Sequence, residues 1–415
     1  MTTAEINTYI KNFSLNKQYG LFADGPNAVI EYINIGNIEV PKYINEFWTS
    51  KQRQASSIHE ISYRACFKPQ LPQFFIQLLS SDNDVVYDPF SGRGTTPIEA
   101  ALLGRQVISN DINPLSEILT RPRLMIPDFK DVERRLNTIN YKKQAKADID
   151  LSMFYHPKTE SEIVSLREYL IEKDNYGVSD EIDNWIRMVA TNRLTGHSKG
   201  FFSVYTLPPN QAVSPDKQIM INIKLNQTPD YRDTKKLILN KTKSLLRNLT
   251  AKQKDSLRRI GGTALFFTED ARNTPEIKDE TVQLVVTSPP FLDTVQYSKD
   301  NWLRCWFNNI DIQNVSERIT MSNKVEEWTY VMNGVFAELY RVLKKDGWIA
   351  FEVGEVRRGK LKLDEYIVPL GLNNGFSCAG ILINTQDFTK TSNIWGIKNM
   401  EIGTNTNRIV IFKKP

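Results

Sequence analysis

Two stretches of the chain share one pattern of apolar and polar positions: a short apolar run, an abrupt break, then helical spacing. Asp84-Val85-Val86-Tyr87-Asp88 reads as a buried strand, and after a glycine-rich break Ile98, Ala101, Leu102 and Leu103 mark a helix that ends at Gly104. Gln106-Val107-Ile108-Ser109 is a second strand. Upstream, Phe67 to Leu71 reads as an extended entry into a helix started near Pro72 and apolar at Phe75, Ile76 and Leu79. The rhythm returns at Ala264-Leu265-Phe266-Phe267, then at the strand Val282 to Val286. A helix over Val331 to Leu343, with Val335, Leu339 and Val342 inward, is closed by Lys344 to Gly347. Strands over Trp348 to Val353, Ala379 to Ile383 and Arg408 to Phe412 finish the pattern. Strands alternating with helices predict an α/β protein with a Rossmann-like, mostly parallel sheet.

Between Met125 and Ile260 this alternation fails. Charged helices are expected around Glu162 to Glu172 and Glu181 to Met188, followed by an irregular piece from Thr191 to Phe202. Arg232 to Arg259 holds ten basic residues against Asp233 and Asp255, and Leu237, Ile238, Leu245, Leu246 and Leu249 make it an amphipathic helix with a basic outer face. So one-sided a run predicts contact with nucleic acid. Tyr43, Phe47 and Trp48, followed by Lys51 and Arg53, read instead as the packed edge of a domain. Four regions result: an N-terminal segment over 1–60 packing on the rest, a first strand–helix half over 61–125, an insertion over 126–260 and a second half over 261–415. No internal repeat is present.

The two breaks carry the chemistry. In Asp88-Pro89-Phe90-Ser91-Gly92-Arg93-Gly94-Thr95-Thr96, glycines let the backbone approach a ligand and the following helix offers free N–H groups. The spacing departs from GxGxxG and no Lys-Ser/Thr follows, which disfavours a nicotinamide dehydrogenase or a nucleotide triphosphatase. Asp111, at the tip of the second strand, is placed to hold a ribose diol, and Asp270, before Ala271 at the next tip, an adenine amine. Thr287-Ser288-Pro289-Pro290-Phe291 must leave the sheet, because two prolines cannot donate to a ladder. Its hydroxyl, stiff diproline and aromatic ring form a slot for a planar polar group; the plainer reading is a strand-ending turn with Phe291 in the core.

Composition narrows the setting. The 415 residues are 40% hydrophobic and 24% charged, as in a globular protein, and the net charge of +5 permits a polyanionic partner without requiring one. Cys66, Cys305 and Cys378 form no CxxC pair, so neither a zinc site nor a disulfide framework is expected. With no leader-like start and no apolar run of membrane-spanning length, a cytoplasmic protein is expected.

With both motifs in view, the chain resembles the amino-group DNA methyltransferases that use S-adenosyl-L-methionine, most closely their cytosine-N4 branch. The resemblance rests on Asp88 to Thr96 as cofactor loop and Thr287 to Phe291 as catalytic loop, and covers about half the chain. It implies a class I methyltransferase sheet carrying an inserted target-recognition domain, with the insertion over 126–260 reading double-stranded DNA. It also implies cofactor contacts from Phe67, Asp88, Phe90, Gly92, Gly94, Thr95, Thr96, Asp111, Asp270 and Ala271, with catalysis by Ser288, Pro289, Pro290 and Phe291. The insertion falls before Asp270, so that assignment crosses a long gap.

If Ser288 Oγ and the Pro289 carbonyl accept the two N–H bonds of a cytosine amine, its lone pair is aimed at a sulfonium methyl, while Phe291 stacks on the flipped base. Aspartate in place of Ser288 would be the commoner adenine-N6 form. Cytosine-C5 methylation needs a cysteine nucleophile, usually after proline, and none of the three cysteines follows one. The rivals are an adenine-N6 DNA methyltransferase, an RNA guanine-N2 methyltransferase, and a methyltransferase-like binding protein without catalysis. A cognate restriction endonuclease is a further partner that the resemblance raises.

Overall fold

The computed structural model describes residues 1–15, 28–36, 38–49, 55–64, 66–207, 211–290, 292, 297–319, 324–356, 361–385 and 407–415. Strands β1 (Val29–Ile35), β2 (Ile38–Asn45), β3 (Val85–Asp88), β4 (Gln106–Asn110), β5 (Leu265–Phe267), β6 (Val282–Thr287) and β7 (Leu343–Val353) are followed by a two-stranded ribbon, β8 (Glu355–Val356) and β9 (Leu361–Lys362). Strands β10 (Ser377–Asn384) and β11 (Asn407–Lys413) come last. Nine of them form one sheet in the order β1-β2-β10-β11-β7-β6-β3-β4-β5.

From β5 to β7 every neighbouring pair is parallel. Their order is that of a doubly wound sheet, with the chain reversing direction between β3 and β6, where such sheets bind ligands. Central strands covered on both faces should read as continuous apolar runs, and Val282, Leu284, Val285 and Val286 of β6 are all fully buried. The mostly parallel α/β sheet expected from the motifs is therefore present. Strand β11 departs from the dinucleotide-binding order, since it lies antiparallel between β7 and β10. The N-terminal segment does more than pack on the sheet: β2 adds parallel to β10 and β1 antiparallel to β2. Tyr43, Phe47 and Trp48 are buried, the last two against Phe74 of the helix Gln70–Leu79, as a packed edge requires.

Among the described residues, the regular structure between β4 and β5 is helical, apart from one isolated bridge from Gly196 to Tyr205. Its interior is shared with the sheet. A single apolar cluster runs from Ile98, Val107 and Leu284 through Leu124 to Trp185, Leu245 and Leu257.

The expected single helix over the basic run is corrected by the structure. It is two helices, Thr234–Leu246 and Ala251–Gly261, because Thr250 caps the second: its Oγ1 accepts from Gln253 N at 3.2 Å and Gln253 Oε1 accepts from Thr250 N at 3.0 Å. Nor is there one basic outer face. Arg232 pairs with Asp230 at 2.9 Å, Arg247 with Glu60, and Arg258 donates to Ile126 O at 2.9 Å. Lys235 and Lys243 lie over the rings of Tyr141 and Phe129. The helix expected from Val331 begins at Val325 and runs directly into β7, whose Lys344 to Gly347 start is a bulge turned by Asp346 at φ +62°. Among the described residues no helix is long and apolar enough to cross a membrane.

Candidate active site

The carboxyl ends of β3, β4, β5 and β6 converge on one cleft, and backbone strain sets the first wall. Gly92 and Gly94 hold φ of +52° and +76°. A Cβ at Gly94 would collide with the Thr120 side chain, so only glycine lets the loop turn here into the helix Thr95–Leu102. The turn closes through Gly94 N to Ser91 O at 2.7 Å.

Asp111 sits at the tip of β4 with both oxygens engaged. Oδ2 accepts from Gly92 N at 2.8 Å and Oδ1 from Asn113 N at 2.9 Å. Burial nevertheless pushes its carboxyl up to about 6, against those two bonds. Asp88, at the tip of β3, ties the two halves of the site together. Its Oδ1 accepts from Thr287 Oγ1 at 2.6 Å and from Phe90 N at 3.1 Å, and burial pushes it up to about 7. Thr96 repeats the tie, donating Oγ1 to Val286 O at 3.0 Å. Asn110 locks β4 to β5, accepting from Glu269 N at 2.9 Å and donating to Glu269 O at 3.0 Å.

Asp270 is held differently. Arg272 Nε donates to its Oδ1 at 2.9 Å and Nη2 to its Oδ2 at 2.5 Å. Burial would raise this carboxyl, but the Arg272 bonds keep it below the ordinary aspartate value.

Of the expected residues, Phe90, Gly92, Asp111, Asp270, Ala271, Ser288 and Pro290 line the cleft. Asp88, Thr95 and Thr96 stand behind the wall; Thr95 Oγ1 accepts from Arg93 Nε at 3.3 Å. Phe67 packs partly buried against the main apolar cluster and Pro289 is buried. Phe291 lies outside the described residues. Sequence reasoning missed the far wall, Trp328 and Val335 of the helix Val325–Val342, together with Arg318 and Glu269. Trp328 Nε1 donates to Pro290 O at 2.9 Å and so fixes the diproline. It also missed Glu352. This residue is buried on β7, accepts a hydrogen bond from Asn407, and has its carboxyl raised by burial against the influence of the Ser288 hydroxyl and Asn407. An acid inside the apolar run Ile349 to Val353 was the available signal.

The electrostatics of the lining test what could occupy it. Asp111, Glu269 and Asp270 face two cations, Arg318 in the lining and Arg272 paired to Asp270, amid apolar Phe90, Pro290 and Trp328. Such a wall repels a polyphosphate and suits a cation that also carries hydroxyls and a flat ring. S-adenosylmethionine fits that description.

Residues 27–118 match the model of a family described as DNA methylase, of the N6/N4 type. The type II methyltransferase M.BsoBI of Geobacillus stearothermophilus is 24% identical over 310 residues, 69% of this chain and 59% of its own length. The type II methyltransferase M.MvaI of Kocuria varians is 24% identical over 308 residues, 66% of this chain and 60% of its own. The chain thus spans about three-fifths of the length of these curated relatives. Among solved structures, TrmN from Thermus thermophilus aligns over 97% of this chain and 64% of its own at 12% identity, with a TM-score of 0.33. The fold described above rests on the strand order of this chain alone. The family match and the type II relatives bear out the resemblance to the amino-group DNA methyltransferases.

Proposed function

We propose that the chain is a DNA methyltransferase that places a methyl group on an exocyclic base amine, cytosine N4, in double-stranded DNA. The observation that carries this reading is the meeting of Ser288 and Pro290 with Asp111 in one cleft at the switch point of the sheet. S-adenosyl-L-methionine, when bound, supplies an electrophilic sulfonium methyl. Asp111 is assigned to its ribose hydroxyls, since each carboxylate oxygen keeps a lone pair beyond its backbone bond. Phe90 and Ala271 flank the adenine, Gly92 and Gly94 allow close approach of the loop, and Asp270 takes part through the edge that Arg272 leaves free.

The base amine is the acceptor of the methyl group, and its lone pair must first be freed from conjugation with the ring. Ser288 serves this by accepting an amine N–H. Glu352, whose carboxyl feels the Ser288 hydroxyl, is assigned to receive that hydroxyl's proton, an arrangement that leaves the oxygen lone pairs for the amine. The Pro289 carbonyl accepts the second N–H, and Phe291 stacks on the base. The proton lost from the amine leaves after transfer, so no strong base is required. Serine in place of aspartate supports cytosine over adenine, and the type II designation of the relatives supports a cognate restriction endonuclease as a partner.

The test is incubation with methyl-labelled S-adenosylmethionine and a mixture of duplex DNA and RNA, followed by nucleoside mass spectrometry. N4-methylcytosine in DNA is the expected product. N6-methyladenine would move the assignment to the adenine branch. Label in RNA guanine, or in no nucleoside, would overturn the proposal.

A further inference from the structure

Beside the cofactor cleft lies a group of cations that the chemistry above does not use. The segment from Ser57 to Tyr63 is clasped by arginines from three separate elements. Arg123, of the helix Leu115–Leu124, donates Nη1 to Ile58 O at 3.3 Å and Nη2 to the carbonyl of Arg93. Arg93, in the glycine loop, donates Nη1 to Ile61 O at 3.1 Å. Arg304, of the helix Tyr297–Phe307, donates Nη2 to Ser62 O at 3.0 Å. The insertion reaches the same point: Asn192 donates to Ser62 O at 2.9 Å, and Arg193 donates to Asn192 Oδ1 at 2.7 Å with its guanidinium 4.0 Å from the centre of the Phe201 ring.

Lys68 and Lys241 complete the group. Lys68 feels the charge of Arg93, and Lys241 those of Arg193, Arg247 and Arg123, offset in part by the carboxylate of Glu60. Burial first, then repulsion led by Arg193, pulls the Lys241 ammonium down to about 8, and burial, then repulsion from Arg304, pulls the Arg193 guanidinium down to about 10. Among the described residues, none of Lys68, Arg93, Arg123, Arg193 and Lys241 is ion-paired with a carboxylate. The nearby acids are engaged, Glu60 by Arg247 and Asp300 by Arg64 at 2.8 Å near the rim, and the buried Glu99 by His59 at 2.6 Å. Five cations without acidic partners repel one another, and an arriving anion relieves that repulsion. Tyr63 joins the group to the cleft: it lines the cleft wall, and the Arg304 guanidinium carbon lies 5.6 Å from the centre of its ring.

We infer that a nucleic-acid strand runs over this group, with the phosphodiesters next to the reacting nucleotide lying against Lys68, Arg193 and Lys241. These three are the partly exposed members, whereas Arg93 and Arg123 are buried and support them. The inference rests on the proposed function and moves the backbone contact inward from the outer faces of the two basic helices. A single cofactor carboxylate would neutralise one charge and would not need contributions from the insertion.

The test is duplex DNA binding by fluorescence anisotropy from 50 to 200 mM salt, alongside S-adenosylmethionine binding by calorimetry. Each of Lys68→Gln and Lys241→Gln should lower the slope of log K against log salt by about 0.9, the share of one phosphate contact. Cofactor affinity should stay within about twofold and thermal stability should hold or rise, since repelling charges are removed. Arg193→Lys, which keeps the charge, should keep the slope. Lys236→Gln and Lys252→Gln, on exposed positions of the two basic helices, should leave it unchanged. An unchanged slope in Lys68→Gln and Lys241→Gln would overturn the inference, as would weakened cofactor binding with DNA binding intact. If the unaltered chain methylates DNA and those variants still bind normally, the inference alone fails. If the unaltered chain neither binds nor methylates DNA, the proposed function fails with it.

Discussion

Asp111 and Asp270 stand at the tips of neighbouring parallel strands, and a reading of the motifs gives them parallel tasks, yet the fold satisfies them in opposite ways. Backbone N–H groups hold both oxygens of Asp111, so that carboxylate shapes the glycine loop and presents its remaining lone pairs to the cleft. Asp270 is neutralised by Arg272, two residues on, with both side chains more than a third exposed. A carboxylate fixed by backbone cannot turn away, whereas one fixed by a neighbouring exposed side chain can. The first is structure and site at once; the second is adjustable. Glu352 is a third kind, buried on β7 with Asn407 as donor.

Removing each carboxylate should rank them. Asp111→Ala, which frees two backbone donors and removes the proposed cofactor contact, should weaken S-adenosylmethionine binding by about 100-fold or more, at about 1.5–3 kcal/mol per hydrogen bond to a charged group. Calorimetry with a thermal melt checks this, and Asp111→Asn should recover part of both losses. Equal, small effects at Asp111 and Asp270 would break the comparison.

Next in size, Ser288→Ala should lower kcat about 100-fold, the scale for loss of one positioned polar group, and Glu352→Gln about tenfold. Cofactor affinity should be unchanged in both. A Glu352→Gln enzyme with altered cofactor binding and normal kcat would assign Glu352 to packing. Smaller again, Asp270→Asn and Arg272→Ala should each change cofactor affinity only about threefold and leave the melting temperature nearly unmoved, since an exposed pair contributes about 0–1 kcal/mol.

A separate effect is on pH dependence. Asp88 and Asp111 have folded values of about 7 and about 6 against an ordinary 3.8, so the folded chain binds more protons than the unfolded one across that window. The stability carried by their neutral forms is full below 3.8 and lost as pH rises through 6 and 7. Denaturant titrations of the cofactor-free chain should show stability falling over this range. Asp88→Asn, which keeps an acceptor for Thr287 and Phe90, should flatten the fall.

What could be read from the sequence was local. The strand, glycine turn and helix from Asp84 to Gly104 lie within one continuous stretch, and so does the strand that stops at Ser288. Asp88 was legible as a loop residue but not as a tie, because its partner Thr287 lies 199 positions away. Glu352 looked like one more position in a buried strand until the antiparallel β11 brought Asn407 beside it. The basic run misled for the same reason. Its charges were counted on one face, but Arg247 meets Glu60 and Arg258 meets Ile126, contacts that no helical spacing encodes.

The apolar cluster that passes without interruption from the sheet into the inserted helices also limits how such a chain can diversify. Trp185 is fully buried with its Nε1 bonded to Thr242 at 3.0 Å, and Ser256 donates to Ala101 O at 2.7 Å, so the inserted helices complete the interior of the cofactor half. A block wired in this way cannot be exchanged as a cassette without leaving Leu124 and Ile98 facing water. If this block reads DNA as proposed, new sequence preferences would have to arise by substitution on its outer loops, with the shared interior held constant.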